Sequence, residues 1–169
     1  MNRYWMALLL VPLLFAAPRQ LLQPSSSTPQ PPAKASGQER THAQAEAEAD
    51  IKHLLTAQVD AWNRGDLEGF MNGYWQSPDL IFFSGGTTTQ GWEPTLARYQ
   101  QRYKGQGKEM GKLDFQDLKI DVLGPKAAVV TGKWELVMSD GKKPGGLFTL
   151  ILKKLPAGWH IVHDHTSGG

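Results

Sequence analysis

Near its end the chain carries three titratable side chains in a row, His163, Asp164 and His165, within "GWHIVHDHTSGG". Imidazole and carboxylate can supply a general base, a metal ligand or a polar point for a bound molecule. The flanking apolar residues predict a strand, on which residues two apart share a face and lie roughly 7 Å apart. By that alternation His163 and His165 share a side with Trp159 and Ile161, and Asp164 faces the other way with His160 and Val162. Asp164 is then not the natural orienter of either neighbouring imidazole. A protein zinc site needs at least three ligands. His163 and His165 make a pair without a third partner at supporting spacing, because His53 falls on the first predicted helix and His42 in a polar linker. No metal and no cofactor is expected. Asp60 lies at the end of that helix, beside Trp62 and Asn63, and is the carboxylate to test as a base, although lone acids on helices are mostly solvated. Arg98, next to Tyr99, suits either an anionic ligand or a surface ion pair. No spacing matches a Ser–His–Asp set, a phosphate loop or a dinucleotide fingerprint.

The totals narrow the classes. A chain of 169 residues, 40% hydrophobic and 20% charged, suits one ordinary domain. A net charge of +2, with the basic residues scattered, lacks the footprint of a nucleic-acid binder. The absence of cysteine excludes disulfides, thiolate catalysis and cysteine-based zinc or iron–sulfur sites. At the front, "MNRYWMALLLVPLLFAAP" has a basic start at Arg3, an apolar run from Tyr4 to Ala17 and small residues closing it. That pattern reads as a secretory signal over 1–17. The run is shorter than the ~20 residues of a spanning helix. Phe15 and Pro18 make a poor cleavage site, so an uncleaved signal anchor competes, and with it the only membrane contact expected. The rest of the chain is expected in the periplasm or secreted. Residues 18–42, rich in Pro, Ser and Gln, read as a disordered linker.

The elements that must position these groups begin near Ala43. Ile51, Leu55, Val59 and Trp62 recur at helical spacing, with Leu54 beside them, and Gly65 ends the helix. Asp66 caps a short second helix with Leu67, Phe70, Met71 and Tyr74 on one face. Leu80–Phe83 reads as a strand, and "TQGWEPTLARYQQRY" as a third helix with Trp92, Leu96, Tyr99 and Tyr103 together. Four strands follow, over 113–123, 127–138, 146–154 and 158–166, the last three antiparallel through short connections. Helices first and strands later predict an α+β fold.

The stretches "QVDAWNRGDLEGFMNGYWQSPDLIFF", "GWEPTLARYQQRY" and "GWHIVHDHTS" resemble the nuclear-transport-factor-2-like superfamily, including its SnoaL-like and ketosteroid-isomerase-like members, over a domain at 43–167. The resemblance implies three N-terminal helices packed on a strongly curved, mainly antiparallel sheet, the cone-shaped barrel. It also implies a pocket between helices and sheet, and often a homodimer through the outer sheet face. The superfamily holds isomerases, dehydratases and cyclases beside non-enzymes, so fold alone names no activity. Within such a pocket Trp62, Tyr74, Phe82, Trp92, Tyr99, Tyr103, Trp134, His163 and His165 would surround a small hydrophobic or aromatic ligand. Three functions follow: a ligand-binding domain without turnover, an enzyme of proton transfer with His163 or Asp60 as base and Tyr99 as donor, or a non-catalytic homo-oligomerisation domain.

Overall fold

The computed structural model describes residues 37–105 and 107–168. The predicted signal and most of the predicted linker lie outside the described residues. No helix among the described residues is long and apolar enough to cross a membrane.

The chain is α+β: helices packed against one mixed six-stranded sheet. Helix α1 runs Gly37–Asn63. It starts six residues before Ala43, inside the segment read as linker, because nothing between Gly37 and Thr41 breaks a helix. Its buried stripe is Ala47, Ile51, Leu55, Gln58 and Trp62. Val59 and Leu54 are only half-buried, so the core face sits one residue from the apolar count. The polar residue in that stripe, Gln58, is 2% exposed and donates from Nε2 to the Phe70 carbonyl at 3.0 Å. Gly65, with φ +77°, closes the helix. Helix α2, Leu67–Met71, is capped by the Asp66 carboxylate accepting from the Gly69 N–H at 2.8 Å.

Strand β1 is Ile81–Ser84 and β2 is Thr87–Gln90. Strand β2 has no apolar alternation in the sequence to mark it. Gly85 and Gly86 both have positive φ, the two-residue turn that matches the twist of a hairpin, and three threonines follow. Helix α3 spans Trp92–Gln100 and widens into a π-helical turn over Gln101–Gly105. Strands β3 (Lys112–Gly124), β4 (Ala127–Val137), β5 (Gly145–Leu155) and β6 (Gly158–Thr166) complete the chain. The sheet order is β2-β1-β6-β5-β4-β3, antiparallel throughout except for β1 against β6. It is not a closed barrel, since β2 and β3 remain edges.

Breaks in register bend the sheet. Two lie in β3, one of them at Asp117, which adopts φ +53°. A third lies in β6. Leu152 pairs with Ile161 and Ile151 with His163, so Val162 is an extra residue without a partner. Just before it, Gly73–Trp75 docks beside β6: the Ile161 N–H donates to the Gly73 carbonyl, and the Trp75 N–H to the Ile161 carbonyl. Ile51, Leu55, Met71, Leu80, Val130, Leu152 and Ile161 are fully buried between helices and sheet.

The end of α1 is pinned to β3 by Asn63, whose amide mimics a strand partner. Its Oδ1 accepts from the Leu113 N–H at 2.8 Å and its Nδ2 donates to the Leu113 carbonyl at 3.1 Å. Asn63→Ala leaves both half-buried backbone groups unpaired. It should lower unfolding free energy by about 1–3 kcal/mol in urea titration, and an unchanged midpoint would contradict the pinning.

Candidate functional site

Between the helices and the inner sheet face lies a cavity of about 280 Å³. Rings dominate its wall. Trp62 from α1 meets Phe70 of α2 edge-on at 5.2 Å, Tyr99 of α3 at 6.0 Å and Tyr103 of the π turn at 5.0 Å. Phe82 of β1 lies 5.7 Å from Tyr99. Phe115, Trp134 and Phe148 line the far side from β3, β4 and β5. Such edge-to-face contacts add to the burial energy of each ring and hold it in one orientation. The Trp62 indole N–H is satisfied outside the cluster by the Met110 carbonyl at 3.2 Å.

One acid reaches into this wall. Asp164 is 3% exposed. The Tyr74 hydroxyl donates to its Oδ2 at 2.7 Å, and the Thr166 hydroxyl to its Oδ1 at 2.6 Å. Burial pushes the Asp164 carboxyl up to about 6; the Thr166 and Tyr74 hydrogen bonds and the charge of His165 oppose that rise. Tyr74 is pushed well above the ordinary tyrosine range by burial first and the Asp164 charge second. Tyr99 is raised by the same two causes in the same order. The tyrosines are thus neutral hydroxyls, and the carboxyl beside them exchanges a proton near neutral pH.

The structure gathers Trp62, Tyr74, Phe82, Tyr99, Tyr103 and Trp134 around the cavity. It leaves out the other expected residues. Trp92 sits at the start of α3, donating its indole N–H to the Met71 carbonyl at 2.9 Å, away from the cavity wall. Asp60 is exposed on α1, which removes it as the cavity's base. His163 and His165 point to the outer sheet face, edge-on to Phe83 at 4.9 and 5.9 Å. The reason is the extra residue at Val162. One inserted position reverses every later side chain. Trp159 and Ile161 face the core as expected, and beyond the bulge Asp164 and Thr166 face it in place of the histidines. The signal was available: Ile161 and Val162 are adjacent apolar residues, which strict alternation does not place together in a half-exposed strand. Phe70, expected on the apolar face of the second helix, also lines the cavity, with Phe115, Phe148 and Gln58, which the sequence pattern does not mark as site residues. Among the described residues no group of three or more His, Asp or Glu side chains could hold a metal.

A family model described as a SnoaL-like domain matches residues 51–168. The chain belongs to the SnoaL-like family. A crystal structure of an NTF-2-like protein of unknown function from Shewanella oneidensis is similar to this SnoaL-like domain with a TM-score of 0.66. The two are 40% identical, over 71% of this chain and 98% of that one. A nuclear transport factor 2-like superfamily protein from Salmonella enterica serovar Typhimurium is 23% identical over 74% of this chain and 92% of its own, with a TM-score of 0.63. An NTF2-like protein of unknown function from Pseudomonas putida is 18% identical over 73% and 87%, with a TM-score of 0.62. The last two share the fold. No curated protein matches the sequence.

The raised Asp164 carboxyl makes a pH prediction. It holds its proton to about 6 in the folded domain and to about 3.9 when unfolded. Its contribution to stability is therefore fully present below about pH 4 and lost as pH rises through about 6. At ~1.4 kcal/mol per tenfold change in proton affinity, the loss is about 3 kcal/mol. Asp164→Asn should remove it. The stability of wild type minus variant, from urea titrations, should fall by that order between about pH 4 and about pH 7. A difference flat with pH would contradict a buried carboxyl.

Proposed function

We propose that this SnoaL-like domain binds a small, ring-bearing organic molecule in the cavity beneath its sheet. The observation that carries the reading is a wall of aromatic rings interrupted by one buried polar group, Asp164 held by Tyr74 and Thr166. An apolar enclosure with a few convergent polar points is the usual form of a small-molecule site. The rings receive the flat body of the ligand. The carboxyl, with its oxygens already hydrogen-bonded, selects a hydroxyl or other donor on it. A cavity of about 280 Å³ suits a molecule of about two fused rings.

A second reading, turnover by proton transfer, is favoured by one feature. A carboxyl titrating at about 6 lies within 2.7 Å of a neutral phenol on the same wall. Base and donor thus sit side by side on one wall, a pairing that general acid–base chemistry can use. In this reading Asp164 takes the role first given to His163 or Asp60, and Tyr74 shares that of Tyr99.

Trp62 and Trp134 line the cavity and report on its filling. A panel of one- and two-ring phenols, bicyclic polyketides and aromatic acids should contain compounds that change tryptophan emission and raise the melting temperature. The expected stabilisation is about 2.7 kcal/mol at a hundredfold excess over Kd. Bound compounds that exchange a carbon-bound proton in D2O with wild type, and not with Asp164→Asn, would favour turnover. A panel with no effect on either emission or melting would sink the binding reading.

A further inference from the structure

The π-helical turn and the end of α3 carry a short repeat, Arg98-Tyr99 and Arg102-Tyr103. The four-residue spacing puts like residues on one helix face. Both tyrosines and both arginines line the cavity. Arg98 is half-buried and fixed: its guanidinium donates to the Thr89 hydroxyl at 2.9 Å and to the Ser84 carbonyl at 3.1 Å, and it lies 5.3 Å from the centre of the Phe82 ring. Arg102, exposed, lies 5.5 Å from the centre of the Tyr103 ring.

Neither guanidinium has a carboxylate partner among the described residues. The acid lining the cavity, Asp164, has both oxygens engaged by Tyr74 and Thr166. Two guanidinium charges therefore face one occupied carboxylate, a cavity charge of 2 − 1 = +1 when Asp164 is ionised. An arginine held by neutral acceptors, with N–H donors to spare and no acid to meet it, is preorganised for an anion; its planar fork matches a carboxylate. Phe82 and Tyr103 beneath the guanidiniums extend the ring wall up to the charges.

We propose that the ligand is an organic anion: a ring system seated among the aromatics, with an acidic group on Arg98 and Arg102. The proposal rests on the small-molecule reading above and names the ligand's class. The acidic group docks at the arginines and not at Asp164, whose own charge repels it at neutral pH. An uncharged donor on the other side of the ligand faces the carboxyl.

Matched pairs of acids and their neutral amides test this: 2-naphthoate with 2-naphthamide, and benzoate with benzamide. Each is titrated calorimetrically into the full chain at neutral pH. The acid of at least one pair should bind about tenfold or more tighter than its amide, and added salt should weaken the acid alone. Arg102→Gln, at an exposed position, should reduce the acid's affinity and leave the amide's unchanged. Arg98→Gln should do so more strongly, and Arg98→Lys should restore part of the preference. Amides binding as tightly as acids, with the arginine variants silent, would overturn the anion assignment and leave the binding reading intact. No binding by any of these compounds would overturn the anion assignment; silence of the wider panel as well would remove the binding reading.

Discussion

One unpaired residue in the last strand decides what this cavity can do. Val162 interrupts the pairing of β6 with β5, so the chain enters the strand in one phase and leaves it in the other. Trp159 and Ile161 pack inward before the break, and Asp164 and Thr166 point inward after it. The same break turns His163 and His165 outward against Phe83. Just before the break, Gly73–Trp75 pairs with the Ile161 N–H and carbonyl and anchors that end of β6. That docking also delivers Tyr74 to the carboxyl. Bulge, bridge and hydrogen bond form one device that places a carboxyl among rings.

A carboxylate in such surroundings is costly unless its oxygens are satisfied. Here they are, by two hydroxyls, and still burial outweighs both in setting the proton affinity. The residual penalty is what makes the group responsive near neutral pH. The arginines at α3 and the π turn act in the opposite sense, since a guanidinium stays charged in any plausible protein site. Resting on ring faces and on neutral oxygens, they bring positive charge to an otherwise apolar wall. The cavity thus presents separate polar regions, one that accepts a proton and one that attracts an anion.

Much of the fold was legible in the residues because burial writes a period into a sequence. Ile51, Leu55 and Trp62 marked α1, Asp66 marked the cap of α2, and the alternations after Lys112 marked β3 to β6. Gln58 escaped because a polar side chain does not count as core until its partner, the Phe70 carbonyl, is known. Strand β2 escaped because it is exposed on an edge and carries threonines with no apolar pattern. For the site, ring-rich helices pointed to Trp62, Tyr74, Tyr99 and Tyr103, whose placement follows from helical spacing and local packing. The choice between Asp164 and its histidine neighbours did not follow, since it turns on long-range pairing with β5 and with Gly73–Trp75. Local alternation carries no memory of an insertion unless adjacent apolar residues such as Ile161 and Val162 are read as one.

The most direct test is the inter-strand nuclear Overhauser pattern of the last strand in solution. The expected pattern pairs Leu152 with Ile161 and Ile151 with His163, and joins the Tyr74 ring protons to the β-protons of Asp164. Continuous pairing that sets Ile151 opposite Val162, with the Tyr74 ring close to His163 and not to Asp164, would contradict the account at its root.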